Sequence, residues 1–350
     1  MHLRDDEDLI DEFHKRSGHS SGSRKSYKSV FDMYKEFHNM SLGELLDEAI
    51  LEQEQDVPLH KLSIYDRIVT FREFLAENYL ANTVTSSISK IMTFYRYNRV
   101  DIPFIPPLNV KKLKRKKPIY FEDLPTKDEL RLALENADDD LKLWIMVLVS
   151  TGSSRIDAKS MTNRTFFEGT WPYHKKDNFP DALECLASRE DVVCTCKLTR
   201  QKTDKPYYTF LNPECVQEIA RVKLKQNDFD LDSPLLRYSL SYISIKFRRL
   251  NDELGLGEVS GFVRLRPHML RKFNASHLYQ GTLDESLLLD MNQVDVLHGR
   301  GGNSIRKTYY KNDPEYLKRK YISVMSNVSL YHKYDYEVVG GKVKVLPRPL

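Results

Sequence analysis

The sequence predicts a mainly α-helical protein with a small β-sheet, divided into a helical N-terminal domain and a larger, mixed α/β domain. Three observations predict it. Apolar residues recur at helical spacing through most of the chain. The period changes to that of strands across residues 191–211. A proline-rich and then strongly basic stretch, residues 103–117, separates two helical regions.

In the N-terminal region, SIYDRIVTFREFLAE (residues 63–77) places Ile64, Ile68, Phe71 and Leu75 on one stripe. Residues 84–95 place Val84, Ile88, Ile91 and Phe94 or Tyr95 on another, so the two segments are expected to pack as amphipathic helices. Between them, Asn82 or Thr83 is expected to cap the second helix. Residues 26–56 add at least one more helix, with Leu42, Leu45, Leu46 and Ile50 on its apolar side. The acid-rich start, DDEDLIDEF, reads as a solvated helix face or a mobile tail.

With 350 residues, 30% of them charged and 41% hydrophobic, the chain is long enough for two domains and a sizeable core. It contains no run of eighteen apolar residues and no apolar signal at its start, so a cytoplasmic protein without a membrane partner is expected. The four cysteines, Cys185, Cys194, Cys196 and Cys215, fit neither a disulfide framework nor a four-cysteine zinc site and are expected to be reduced.

The net charge of +4 is modest, but its distribution is uneven. KKLKRKK, residues 111–117, follows PFIPP at 103–107. Prolines withhold backbone donors, so this stretch suits a linker between residues 1–105 and 123–328, with 106–122 as the connection. An extended basic linker can run along phosphates, or simply be solvated.

Beyond it, Thr126 and Glu129 have capping-box spacing before an apolar helix. LKLWIMVLVSTG, residues 141–152, reads as a buried helix ending at Gly152. DVVCTCKLTRQKTDKPYYTFL reads as two strands with Lys202 at or near the hairpin tip, and Asn212-Pro213 opens a helix running to about residue 226. In RPHMLRKFNASHLY, residues 266–279, His268 and Arg271 are three apart and share one helix face, while Phe273, His277 and Leu278 turn inward. In LHGRGGNSIRKTYYKND, glycines surround Arg300 and a helix-like segment presents Tyr309 and Tyr310. DYEVVGGKVKV, within residues 329–350, reads as a hairpin or an extended arm.

None of these residues carries a functional claim alone, since H-x-x-R pairs and lone arginines are common. Together, Arg155, Lys202, His268, Arg271, Arg300 and a tyrosine form a set able to break a phosphodiester without a metal. Arginines neutralise non-bridging oxygens, a lysine protonates the leaving oxygen, and a tyrosine attacks phosphorus.

At this point the sequence resembles the tyrosine recombinases, most closely the archaeal viral and plasmid integrases. The resemblance runs from FREFLAEN through the basic linker to the HGR and Tyr-Tyr segment. It implies a helical N-terminal core-binding domain that binds DNA, a mixed α/β tyrosine recombinase catalytic domain over residues 123–328, and a C-terminal arm or hairpin. TGSSRIDA resembles the first arginine box and maps its arginine to Arg155; RQKTDKPYYTF resembles the lysine hairpin and maps the lysine to Lys202; HMLR maps histidine and arginine to His268 and Arg271. LHGR resembles the L-x-G-H segment, with Arg300 where many members carry histidine or tryptophan. The family's supporting acid falls at Ala158 here, which leaves Asp157, one residue earlier, to buttress Arg155 or His268. Bacterial spacing from Arg300 favours Tyr309 as nucleophile, and the archaeal form favours Tyr310, which is the nucleophile the resemblance implies.

The resemblance further implies site-specific recombination through a 3′-phosphotyrosine intermediate, with no cofactor, for integration or excision of a mobile element. The implied partners are double-stranded DNA carrying a specific attachment or core site, a second copy on each site, a synaptic homotetramer, and a DNA-bending accessory protein. Two other readings remain open: a type IB topoisomerase-like enzyme, and a noncatalytic DNA-binding protein that retained the fold.

Overall fold

The computed structural model describes residues 5–109, 113–280, 288–300, 313–339 and 342–349. The chain divides into two compact units, Met1–Lys117 and Pro118–Leu350.

The first unit is built from α1 (Asp6–Arg16), α2 (Ser21–His38), α3 (Leu42–Glu54), α4 (Ser63–Asn78) and α5 (Ala81–Tyr97). The α4 stripe, Ile64, Ile68, Phe71 and Leu75, is fully buried, as its spacing predicts. It meets Val84, Ile91, Phe94 and Tyr95 of α5 in one aromatic-rich core with Phe13, Phe31 and Tyr34. Each large apolar side chain withdrawn from water in this way contributes about 1.5–3 kcal/mol before entropy is counted. Two local expectations fail. The acidic N-terminal segment is not merely solvated, because Leu9 and Phe13, four apart on α1, enter the core. Helix α5 starts at Ala81 after Leu80 with no side-chain cap, so Asn82 and Thr83 lie inside the helix.

The proline-rich and basic stretch carries no helix or strand in its described part, yet it is tied to this unit. Arg72 Nη1 donates to the Pro106 carbonyl at 2.6 Å, and the Ala81 N–H donates to the Lys114 carbonyl at 3.0 Å. Ile102, Ile105, Leu108 and Leu113 pack against the core.

In the second unit, Thr126 and Glu129 form the expected capping box at the start of α6 (Lys127–Asn136). Helix α7 (Asp139–Thr151) is apolar on nearly every face because it is central, with Leu143, Trp144, Ile145, Val147 and Leu148 wholly buried. Gly152 ends it at φ +59°, in the left-handed region. Then come α8 (Arg155–Lys159), α9 (Asn163–His174) and α10 (Phe179–Ala187), and an antiparallel hairpin of β1 (Cys194–Arg200) and β2 (Lys205–Leu211). Asn212 caps α11 (Pro213–Gln226) with proline at its first position, as expected.

Helix α12 (Leu240–Glu253), the short pair β3 (Glu258–Val259) and β4 (Phe262–Val263), α13 (Pro267–Gln280), α14 (Met291–Leu297) and α15 (Pro314–Val324) follow. The chain closes with an antiparallel hairpin, β5 (His332–Val339) and β6 (Lys342–Pro349), paired from His332 opposite Pro349 to Val339 opposite Lys342. It is not detached: Tyr334 and Val345 are buried in a core shared with Leu317 and Tyr321. All four cysteines are free, and burial pushes the thiols of Cys194 and Cys215 up, away from reactivity. No helix among the described residues is long and apolar enough to cross a membrane.

Candidate active site

The turn at Gly152 delivers Ser153, Ser154 and Arg155 to the end of the central helix. Ser154 caps α8, so Arg155 is its first residue, exposed, and its Nη1 donates to Ser244 Oγ on α12. Helix α13 begins at Pro267, which places His268 and Arg271 one turn apart. Arg155, His268 and Arg271 line one cavity of about 420 Å³, with Ser244, Arg248 and Arg266 among its other walls. The inward turn of Phe273, His277 and Leu278 is as expected.

The two members of the H-x-x-R pair differ in environment. Arg271 is only 6% exposed; its Nη2 donates to the His298 carbonyl at 3.2 Å, and its Nη1 is buried without a partner among the described residues. Burial, then the charges of Arg300 and Arg200, bring this guanidinium down to about 10, so it remains a cation at neutral pH. His268 is exposed, but desolvation on its protein side, then Lys272, Arg266, Arg271 and Arg300, hold its pKa below the ordinary imidazole value. It is therefore largely neutral at pH 7, with one nitrogen able to donate and one able to accept.

Lys202 sits exposed in the turn between β1 and β2 and does not line that cavity. What fixes the turn is Asp157. Its buried carboxylate accepts from the Gln201 N–H at 2.9 Å and from Ser154 Oγ at 2.7 Å. This corrects the expectation that Asp157 buttresses Arg155 or His268: it ties the Arg155 helix to the lysine turn instead.

Arg300 follows Gly299, whose φ of +65° and close approach to the Tyr207 ring leave no room for a Cβ. Its N–H donates to the Asp295 carbonyl at 2.7 Å and its Nη1 pairs with the Asp295 carboxylate at 3.3 Å. Arg300 lies outside the cavity lining, but its charge depresses the pKa values of Arg271, His268 and His298. Tyr309 and Tyr310 lie outside the described residues.

Around this site, four further residues are weakly marked or unmarked in the sequence; of these His298 is visible only as an alternative to Arg300. His298 is wholly buried, with Nε2 2.7 Å from Asn274 Oδ1, and its carbonyl accepts from Arg200 as well as Arg271. Arg200 has one faint signal: it continues the inward alternation of Cys194, Cys196 and Leu198 along β1. Ser244 and Arg248, brought to the cavity by α12, have none.

No family model matches the chain, and no curated protein matches it in sequence. Solved structures do. A lambda integrase dimer bound to a COC′ core site is 14% identical, with a TM-score of 0.53 over 87% of this chain and 77% of that chain. A lambda integrase tetramer bound to a Holliday junction is 13% identical, with a TM-score of 0.53 over 87% of this chain and 79% of that one. The chain shares the fold of these lambda integrase structures. At these identities the likeness is one of fold, and it does not single out the archaeal viral and plasmid members among the tyrosine recombinases.

Proposed function

We propose that this protein is a site-specific DNA recombinase that cleaves and rejoins DNA through a 3′-phosphotyrosine intermediate, in the service of integrating or excising an archaeal viral or plasmid element. The observation that carries the proposal is the convergence on one cavity of Arg155 from α8 with His268 and Arg271 from α13. A phosphodiester held by two guanidiniums and an imidazole is neutralised where charge develops during in-line displacement.

In this reading Tyr310 Oη forms a bond to phosphorus and the bond to the 5′ oxygen breaks. The phenolic proton passes to the neutral His268 or to water, and Lys202 Nζ supplies a proton to the departing 5′ oxygen. Arg300 adds positive charge on the Arg271 side. The phosphotyrosine ester keeps the energy of the broken bond, so a 5′-hydroxyl from a partner strand reverses the step without ATP. The partners are duplex DNA carrying a core site, a second copy on that site, and a tetramer during exchange, with a DNA-bending accessory protein. Residues 1–105 serve as the DNA-binding domain, residues 106–122 as a basic connection following backbone phosphates, and residues 123–328 as the catalytic domain.

Trapping on a nicked suicide duplex taken from the gene's own flanks tests this, with wild type, Tyr309→Phe and Tyr310→Phe compared. Loss of the covalent adduct only in Tyr310→Phe is expected. Loss only in Tyr309→Phe keeps the chemistry and moves the nucleophile by one residue. No wild-type adduct on any flanking site overturns the reading in favour of a DNA-binding protein, and supercoil relaxation without exchange between matched sites favours a topoisomerase.

A further inference from the structure

The carbonyl of His298 holds two guanidiniums at once. Arg200 Nη1 donates to it at 3.0 Å and Arg271 Nη2 at 3.2 Å. A carbonyl oxygen has two lone pairs, so this acceptor is used up and the remaining N–H groups of both arginines are directed elsewhere. Arg271 Nη1 is buried with no partner, and neither arginine has a carboxylate ion pair among the described residues. Two like charges drawn to one neutral atom, with a third from Arg300 beside them, are costly together until an anion joins them.

The carbonyl is held in place from behind. Asn274 Nδ2 donates to the carbonyls of Val149 and Ser150 at 2.8 and 3.0 Å, which leaves its Oδ1 as the acceptor for His298 Nε2. His298 therefore carries its proton on Nε2. The ring fits only because residue 152 is glycine, where a Cβ would lie 2.1 Å from that nitrogen. The ends of α7 and α14, joined through Asn274 in the middle of α13, thus fix one backbone oxygen, and that oxygen fixes two cations. This is the preorganised arrangement that stabilises charge without reorganisation during the reaction.

Arg200 also stands two residues before Lys202, at the end of β1, on the strand face that points inward. We propose that Arg200 is a further phosphate ligand of this site, acting with Arg271 on the non-bridging oxygens of the scissile phosphodiester. The assignment rests on the recombinase reading above. It differs from a purely structural role, in which Arg200 would only staple the β1 end to the His298 segment, and from an indirect role through the neighbouring Lys202.

Single-turnover adduct formation on three suicide duplexes separates these. They carry at the scissile position a phosphodiester, a methylphosphonate, in which one charged oxygen is a methyl group, or a 5′-bridging phosphorothiolate, whose sulfur leaves without protonation. Relative to wild type on the same duplex, Arg200→Gln is expected to lose about 10²-fold on the phosphodiester. The loss should persist on the phosphorothiolate and shrink to about tenfold or less on at least one methylphosphonate diastereomer. Arg200→Lys, which keeps the charge and loses the fork, should fall between the two, and it carries the same comparison if Arg200→Gln does not fold. An equal loss on all three duplexes overturns the assignment in favour of the staple, and rescue by the phosphorothiolate overturns it in favour of Lys202 positioning. No loss in either variant overturns it outright. A wild type that forms no adduct on the phosphodiester instead overturns the reading beneath it.

Discussion

Asp157 and Gln201 join the helix that opens with Arg155 to the turn that carries Lys202. The carboxylate is 1% exposed; one oxygen accepts the Gln201 N–H at 2.9 Å and the other accepts Ser154 Oγ at 2.7 Å. A lysine on an exposed turn has many orientations, and a proton donor is useful only in a few of them. The carboxylate reduces that freedom from one residue away.

If the chain is the recombinase proposed above, with Lys202 as its proton donor, Asp157→Ala should slow covalent cleavage by about 10–10² fold. The 5′-bridging phosphorothiolate should recover most of the loss, since its leaving group needs no proton. Asp157→Asn keeps one carbonyl oxygen for Gln201 and should lose less. A loss that the phosphorothiolate leaves untouched would count against the positioning role.

Gly152 is required for two separable reasons. Its φ of +59° costs an L side chain about 1–2 kcal/mol, and a Cβ would also meet His298 Nε2 at 2.1 Å and Asn274 Oδ1 at 2.4 Å. Gly255 shares the first reason, with φ +62°, but has nothing within 4 Å of the added carbon. Gly255→Ala should thus cost about 1–2 kcal/mol, while Gly152→Ala should cost about 2–5 kcal/mol once overpacking is added. Urea denaturation of both variants checks this. Equal losses would mean that the His298 and Asn274 side chains yield freely.

Acid should destabilise the second unit through its buried histidines. Burial brings His277 from 6.5 to about 4 and pushes His298 well below its ordinary value. In the unfolded chain both take up a proton near pH 6.5, so below that pH the unfolded state binds more protons and stability falls as pH falls. His277 alone should remove about 2 kcal/mol between pH 6.5 and 5, at about 1.4 kcal/mol per pH unit. His277→Phe, which keeps the ring against Phe273, should flatten that part of the curve. Urea midpoints measured at pH 7.5 and 5.0 provide the comparison, and an equal drop in wild type and variant would refute the assignment.

Much of the fold is legible because single segments carry their own signals. Helix α7 is apolar on nearly every face and ends at a glycine, α6 has its capping box, and α4 repeats its stripe over about three turns. Helix α1 was not legible as core, since Leu9 and Phe13 are set among acids and only the surrounding aromatics draw them in. Arg155, His268 and Arg271 were each visible as residues of a chemical type, and their common cavity is a property of three helices that no local pattern encodes. Arg200 and the His298 carbonyl were less visible still. A backbone oxygen has no letter in the sequence, and its pairing with two arginines depends on a buried asparagine and a missing methyl group far away along the chain.

The C-terminal hairpin bears directly on how that end of the chain is to be tested. Sequence alone leaves it free to be an arm for a neighbouring copy, but here Tyr334 and Val345 are buried against Leu317 and Tyr321 of the same chain. Ser326 Oγ accepts the Tyr334 N–H at 2.8 Å and donates to its carbonyl at 3.0 Å. Just before the hairpin, the Glu214 carboxylate accepts the N–H groups of Leu330 and Tyr331 at 2.6 and 2.9 Å, pinning the entry. Removing residues 332–350 exposes the apolar surface that Tyr334 and Val345 cover, at about 1.5–3 kcal/mol for each side chain. The truncated protein, without DNA or a partner, should therefore melt several degrees below the full chain, and Tyr334→Ala should reproduce part of the drop. An unchanged melting temperature in both would mean that the hairpin contributes nothing to its own chain, and would return it to the role of an arm for another. If the drop is found, a synapsis defect in the truncated protein says nothing about an arm, and surface residues of the hairpin such as Tyr336 become the ones to substitute.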